Sequence, residues 1–443
     1  MSRIGGYARA EHILILAWAF VLIRLAWPEL IPAPTGAVLM AAYIALSLPR
    51  LRRRTLVLCT LLALMTVILA AVSQSWRLVL PALDGATIFG AFFGTIMVLR
   101  ATADQRPETS NARVMFQRLG ADQKSGAFLI GAHLIGALLV VGAMAVLAPI
   151  QETDASHEER RAAAESSLRG MCLAPLWSPF WIAMAVAYQY LPAVPLWHIF
   201  AVGIPMAIGG LILSHLMFAR GLGLARLWHA VRGLAPIAPP VALCALAISL
   251  LTSFTDLSTL ESVVICIPIL CGVALLASGR RALTVALGDV YRGLGTVADE
   301  IVLVTVALVL GRVLEKSVTD AGITEWIRGS DLPPESLIVI TVVMITVAAL
   351  AGIHQLVSIT VMLVLLVPLG AELADVVLME AALLGWAFAS MIGISAVSVA
   401  SAATMFRVPM DQLSFGANLK FVAVFGVAAM ICLMATNRII FAG

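Results

Sequence analysis

The most regular feature of this sequence is a succession of long apolar segments separated by short polar ones. A helix needs about 20 apolar residues to cross the hydrocarbon core of a bilayer. Segments that approach or reach this length recur along the whole chain, at 12–27, 35–49, 54–73, 85–100, 197–219, 236–254, 261–277, 299–315 and 413–435. The pattern predicts an all-α polytopic membrane protein.

Two apolar stretches do not fit a single crossing. At a rise of about 1.5 Å per residue, the stretch 336–369 is too long to cross a bilayer once. Its midpoint is Gly352–His354, so we expect a re-entrant hairpin that enters and leaves on one side. A similar hairpin is predicted for 113–149, with Gly131–His133 at its tip. The alternative treats 126–149 as a full crossing and moves this hairpin to 166–191.

Two further segments are predicted to be broken helices, which brings the count to about eleven transmembrane helices. Segment 166–191 contains Pro175, Ser178 and Pro179, and prolines interrupt the hydrogen-bond ladder of a helix. The partner segment 378–404 combines glycine with hydroxyls at Gly393, Ser395 and Ser398. The alternatives are a repaired proline kink in the first segment and small-residue helix packing in the second.

Composition and charge agree with a membrane location. Hydrophobic residues make up 61% of the chain, charged residues 12%, and the mean hydropathy is +1.03. Soluble proteins keep about a quarter of their residues charged, so a soluble enzyme, a disordered protein and a nucleic-acid binder are excluded. Arginines cluster on one side of the predicted topology, which places the N-terminus in the cytoplasm. We expect a multi-pass protein of the bacterial inner (plasma) membrane.

The two halves of the chain share an order of elements: a span, a hairpin, a broken span, a proline turn and a span. Gly170 and Gly385 occupy matching places, and Asp84 and Asp299 are separated by the same interval. The predicted organisation has N-terminal scaffold helices at 1–79, a first repeat at 80–235, connecting helices at 236–282 and a second, inverted repeat at 283–443. Inverted repeats with interrupted helices are typical of secondary transporters.

The candidate substrate site follows from these interruptions. Irregular backbone at membrane depth must be buried in protein or line a wet cavity, and its unpaired groups can bind ions. The residues predicted to contact substrate are Gly131, His133, Ser178, Pro179, Gly352, His354, Gln355, Ser358, Gly393, Ser395 and Ser398. Arg169 is interpreted either as a counter-charge for an anion or as a side chain that reaches the interface. No metal-ligand pattern and no catalytic motif is present.

At the level of motifs, residues 358–409 resemble the second half of the large membrane subunit of TRAP transporters, where a hairpin leads into a glycine-rich broken helix. Residues 165–208 look like the first broken helix of that subunit. The wider group is the ion transporter superfamily, which includes the divalent-anion symporters. The resemblance implies two hairpins that meet two broken helices around a small anion, with elevator-type movement coupled to sodium or protons.

We therefore expect a secondary active transporter, and not an enzyme, that moves a small anionic solute of the carboxylate type by an elevator-type mechanism. The alternative is a membrane-embedded enzyme or a flippase that acts on a lipid-linked substrate. No cofactor is expected, and Na⁺ is a candidate coupling ion beside H⁺. The expected partners are a small-molecule anion and membrane lipid, with no nucleic acid. A homodimer, a small membrane subunit and a binding protein are left open.

Overall fold

A computed structural model describes residues 4–32, 34–106, 121–139, 142–148, 155–219, 238–330, 332–370 and 373–442. All regular elements in these ranges are helices, which confirms the all-α prediction. The α-helices are α1 Ile4–Ala26, α2 Thr35–Ser47, α3 Arg53–Val72, α4 Val79–Gly85, α5 Thr87–Asp104, α6 Ala121–Leu139, α7 Gly142–Leu147, α8 His157–Cys172, α9 Ile182–Tyr190, α10 Leu196–Phe218, α11 Ala238–Phe254, α12 Thr259–Ser278, α13 Arg280–Leu294, α14 Ala298–Asp320, α15 Ile323–Arg328, α16 Pro334–Leu350, α17 Gln355–Leu366, α18 Asp375–Ile392, α19 Val397–Phe406, α20 Met410–Ser414 and α21 Ala417–Ala442.

Several of these helices have the length and hydropathy of membrane spans. Within the described ranges, six helical segments are long and apolar enough to cross a bilayer, and shorter apolar helices accompany them. The six are Arg53–Val72, Trp76–Asp104, Leu196–Phe218, Thr259–Ser278, Asp375–Phe406 and Met410–Phe441. The count of about eleven crossings stays a prediction, because several predicted spans form helices shorter than a full crossing requires.

The chain divides into two compact units that are discontinuous in sequence. Unit one comprises Met1–Gln105 and Asp256–Asp331, and unit two comprises Arg106–Thr255 and Leu332–Gly443. Contacts define these units, whereas the boundaries 1–79, 80–235, 236–282 and 283–443 follow from a sequence repeat. Those boundaries stay a prediction.

Unit one is held together by ion pairs between its helices. Arg50 on the turn after α2 makes a two-pronged pair with Glu11 of α1, with N–O distances of 2.6 and 3.1 Å. Both side chains are largely buried, and a bidentate geometry is the strongest form of such a pair. Asp84 at the end of α4 pairs with Arg24 of α1 at 2.5 Å and accepts the Ala37 N–H at 3.2 Å.

Unit two contains the second predicted hairpin. Gly385 of α18 and Gly393, the residue that follows this helix, pack against Ile345 and Ala349 of α16, so these two helices run in the same direction. Helix α17, between them in sequence, must therefore return the chain, and α16 and α17 pack against each other. Gly352 lies in the turn that joins them, at φ +87°, a conformation that glycine adopts without strain.

The first hairpin differs from its prediction. Helix α6 runs without interruption from Ala121 to Leu139, so Gly131 and His133 lie inside a helix and not at a hairpin tip. The flanking residues are apolar and contain no proline, and a single glycine is not enough to end a helix. The residues of this prediction at 113–120 and 140–141 lie outside the described ranges. Helices α6 and α8 pack extensively on each other.

Both segments that were predicted to be broken helices are interrupted. Helix α8 ends at Cys172, a 3-10 turn covers Ala174–Leu176, and α9 begins at Ile182. Helix α18 ends at Ile392, and α19 begins at Val397. The second half of each broken helix packs on helices of the other predicted repeat. Helix α19 contacts α7 and α8, and α9 contacts α17 and α18. Two repeats related by a pseudo-twofold axis would produce such an exchange.

Candidate functional site

The first interruption, residues 173–181, seals the C-terminal end of α6. The last carbonyls of a helix have no partner within that helix. The Ser178 hydroxyl donates to the carbonyl of Ala137 at 2.5 Å, and the Trp181 indole N–H donates to the carbonyl of Gly136 at 3.0 Å. Ser178 and Trp181 are both buried. The first interruption therefore supplies donors to backbone carbonyls of α6, and the Ser178 hydroxyl is already used as one of these donors.

His133 links α6 to the same interruption. Its Nε2 lies 3.1 Å from the indole nitrogen of Trp177, which can only donate, so Nε2 must accept. The proton then resides on Nδ1, which donates to the carbonyl of Gly170 at 3.0 Å. Both ring nitrogens are thus used, and the imidazole is neutral. This geometry gives His133 a positioning role between α6 and α8.

Helices α6 and α8 approach each other closely at Gly170. A Cβ at this position would overlap the carbonyl oxygen of Leu129 and lie 3.2 Å from the Cβ of Ala132. Only a residue without a side chain fits there. Gly131 and Pro179, the remaining predicted site residues of the first repeat, are buried in the same region.

The second interruption, residues 393–396, is more accessible. Ile394 is 42% exposed and Val397 is 40% exposed, while Ser395 between them is half-buried. Ser398 donates its hydroxyl proton to the carbonyl of Ser390 in the last turn of α18. This bond ties the start of α19 to the end of α18 and leaves the peptide groups between them outside either helix.

The turn of the second hairpin reaches this interruption. The Gln355 side-chain amide donates to the Ser390 hydroxyl at 3.0 Å. His354 caps α17, because its Nδ1 accepts the Leu356 N–H at 3.2 Å. Gly352 lies against Ile394, since a Cβ at this glycine would lie 3.6 Å from the Ile394 Cδ1. The Ser358 hydroxyl, one turn further along α17, is buried without a hydrogen-bond partner among the described residues.

The two interruptions meet at one contact. Helix α19 packs on α8, and the Cys172 side chain at the end of α8 interacts with Ser398 at the start of α19. The predicted site residues therefore fall into two groups that touch here. Around the first interruption lie Gly131, His133, Ser178 and Pro179, and around the second lie Gly352, His354, Gln355, Ser358, Gly393, Ser395 and Ser398. Their role in substrate binding stays a prediction.

Arg169 does not reach an interface. Its side chain is 3% exposed, with Nε donating to the Ser214 hydroxyl and Nη1 donating to the Asn418 side-chain oxygen, each at 2.8 Å. Its guanidinium carbon lies 4.2 Å from the centre of the Phe218 ring. These contacts hold α8, α10 and α21 together, and the interpretation of Arg169 as a snorkelling residue is wrong.

The sequence prediction missed Glu380. This residue lies in α18 within an apolar run, is fully buried, and has both carboxyl oxygens without a hydrogen-bond partner among the described residues. The signal was present, because an ionisable residue inside a membrane segment is a candidate functional residue by default. Trp177 and Trp181 were also missed, since their indole donors find partners that the sequence does not reveal.

Comparisons with known proteins support the fold. No protein-family model and no curated protein sequence matches this chain. Among solved structures, the chain is similar to the crystal structure of the YdaH transporter of Alcanivorax borkumensis, a structure described as having an unusual topology. The TM-score is 0.50 and the sequence identity 12%, over 88% of this chain and 98% of that chain. This likeness does not single out the TRAP subunit. The likeness concerns the fold: the chain has a multi-pass, all-helical fold similar to that of this transporter.

Proposed function

We propose that this chain is a secondary active transporter for a small anionic organic solute of the carboxylate type, coupled to Na⁺ or H⁺. The observation that carries the proposal is the second interruption. There, the end of one helix, the start of another and the turn of a hairpin come together at a place that is accessible from the protein surface. Irregular backbone at membrane depth is tolerated where it lines such a site.

The start of α19 supports an anionic solute. Ala396, which precedes the helix, has no side chain able to cap it. The first N–H groups of α19 are therefore available, and the helix dipole adds a partial positive charge at the same end. Ser395 adds a hydroxyl beside them. Backbone N–H groups at a helix start are a common way to bind carboxylates.

The residues around the second interruption limit how much negative charge a bound solute can carry. Residues 351–358 and 390–398 contain no lysine or arginine. Binding would then depend on N–H dipoles, hydroxyls and the Gln355 amide, which is already bonded to Ser390. We therefore infer that the solute carries a single carboxylate, since a second negative charge would have no counter-charge in these segments.

The elevator-type movement rests on the make-up of unit two. This unit contains the hairpin of α16 and α17 and both broken helices, which are held together by the packing of α19 on α8 and by the Arg169 network. A body that carries its cargo across a membrane must keep its binding elements together in this way. The location in the bacterial inner membrane stays part of the proposal.

Reconstitution into proteoliposomes tests the proposal. Uptake of a panel of labelled mono- and dicarboxylates would be measured with an imposed sodium gradient, with an imposed proton gradient and with neither. We expect gradient-driven accumulation of a monocarboxylate. Ser395→Ala should reduce that uptake about tenfold, the loss of one charge-assisted hydrogen bond. The matched control is Thr404→Val on the exposed side of α19, whose hydroxyl donates to the carbonyl of Ala400 in the same helix. Uptake that ignores both gradients contradicts the proposal.

A further inference from the structure

Glu380 has an unusual environment for an acidic residue. It lies in the second turn of α18 and is fully buried, and neither of its carboxyl oxygens has a hydrogen-bond partner among the described residues. Among the ionisable side chains on elements that pack against α18, Arg169 bonds to Ser214 and Asn418, and Glu335 bonds to Arg438. Glu165 bonds to Arg161 and to the Ala417 N–H, and His354 accepts the Leu356 N–H. No charged side chain of the described part interacts with the Glu380 carboxyl, whose environment is dominated by burial.

Two backbone features bring this carboxyl to the first interruption. A Cβ at Gly203 of α10 would lie 2.8 Å from Oε1 of Glu380 and would overlap the carbonyl oxygen of Leu176. Gly203 thus lets the carboxyl and this carbonyl approach the same point. Leu176 ends the 3-10 turn, and Pro179, three residues later, has no N–H to offer its carbonyl. The carboxyl therefore borders a backbone break.

The charge state of Glu380 follows from this setting. An ionised carboxylate that is buried without a cation or a hydrogen-bond donor is strongly unfavourable, and such a group is neutralised by a proton. In the conformation described here, the carboxyl is therefore protonated. A change at the first interruption that admits water would favour release of that proton, because hydration stabilises the charged form.

We propose that Glu380 carries the coupling proton of this transporter, with the proton held while the carboxyl is buried against Leu176 and Gly203 and released when water reaches it. The inference rests on the proposed function and specifies its coupling ion. Binding of one proton converts the carboxylate to a neutral carboxylic acid, and release of that proton restores the carboxylate. The side chain therefore carries no net charge while it is buried.

The first test needs no substrate. A carboxyl that is protonated in the native state and ionised in the unfolded state makes the native state lose stability as the pH rises above the unfolded value of about 4.3. The equilibrium ratio of folded to unfolded protein should fall about tenfold more per pH unit in the wild type than in Glu380→Gln. Unfolding would be followed in detergent between about pH 5 and pH 8.

The matched control is Glu325→Gln, at an exposed carboxyl of α15 in unit one. It should keep the wild-type pH dependence. Equal pH dependence in the wild type and in Glu380→Gln overturns the proposal.

If Glu380→Gln does not fold, labelling of the wild type with dicyclohexylcarbodiimide replaces the unfolding measurement. This reagent adds to protonated carboxylic acids to form an N-acylurea. At about pH 8 the Glu380 peptide should be labelled faster than the Glu325 peptide, whose carboxyl is exposed, and the reverse order overturns the proposal.

A transport measurement separates this inference from the proposed function. If the wild type accumulates a carboxylate, two rates would be measured for that solute: proton-driven accumulation, and exchange across the membrane without a gradient. Glu380→Gln should lower the first at least about tenfold more than the second. A merely structural role would lower both equally, which overturns the inference but not the proposed function. Accumulation driven by sodium alone and unchanged in Glu380→Gln has the same consequence. If no carboxylate moves, the proposed function fails, while the pH dependence of unfolding still decides the protonation of Glu380.

Discussion

The two interruptions of unit two have the same place in the order of elements but different environments. The first is closed by side chains: Ser178 and Trp181 donate to the last carbonyls of α6, and Trp177 donates to His133. The second has exposed residues at Ile394 and Val397 and an uncapped helix start. A repeated element can therefore provide packing in one copy and an accessible surface in the other.

This difference changes how the polar residues are interpreted. A hydroxyl such as that of Ser178, which already satisfies a buried carbonyl, contributes to stability and has little to offer a ligand. A half-buried hydroxyl at a helix start, such as that of Ser395, contributes little to stability and can bind a ligand. The difference gives three predictions.

The largest expected effect is at the contact that holds the first interruption in place. Gly170→Val would drive a side chain into the Leu129 carbonyl and separate α8 from α6. We expect a loss of about 3 kcal/mol in the free energy of unfolding, measured by denaturant titration of purified protein. The matched control is Gly209→Val on α10, where a Cβ meets nothing within 4 Å. Similar losses in both variants would show that this close approach does not matter.

A smaller effect is expected at the His133 ring. His133→Phe keeps an aromatic ring but leaves the Trp177 N–H and the Gly170 carbonyl without their partner, which should cost about 2 kcal/mol. Trp177→Phe removes one of the same bonds. In a double-mutant cycle the two substitutions should be non-additive by about 1 kcal/mol, since they share that bond. Strict additivity would mean that the bond between the two rings contributes nothing.

The smallest effects on stability compare the two serines directly. Ser178→Ala should cost about 1 kcal/mol, because the Ala137 carbonyl loses its donor. Ser395→Ala should change the free energy of unfolding by less than about 0.5 kcal/mol, as is usual for a partly exposed residue. Uptake should follow the opposite order, with the larger loss per folded protein in Ser395→Ala. If Ser395→Ala lost more stability and Ser178→Ala lost more uptake, the first interruption would be the binding element and the second the packing element.

Sequence alone was sufficient for the fold class and for the interrupted segments. The run 336–369 is too long for one helix crossing, and glycine at its midpoint provides the turn, so Gly352–His354 could be located. The matching Gly131–His133 motif was misleading, because short matches between repeats cannot distinguish a helix interior from a turn.

The partners of the site residues were not predictable. Ser178, Trp177 and Trp181 bond to atoms of α6, and two of these are backbone carbonyls whose availability depends on where α6 ends. The sequence does not fix that boundary. Glu380 is different, since an acid within an apolar run is visible in the sequence, although its lack of a partner becomes apparent only when the packing of α10 and α18 is known.

The closure of α6 also bears on the order of events during biosynthesis. The donors that satisfy its last carbonyls lie 41 and 45 residues further along the chain. When the end of α6 leaves the ribosome, the segment that carries these donors has not yet emerged. Until it does, the last carbonyls of α6 must be satisfied by water or by another partner.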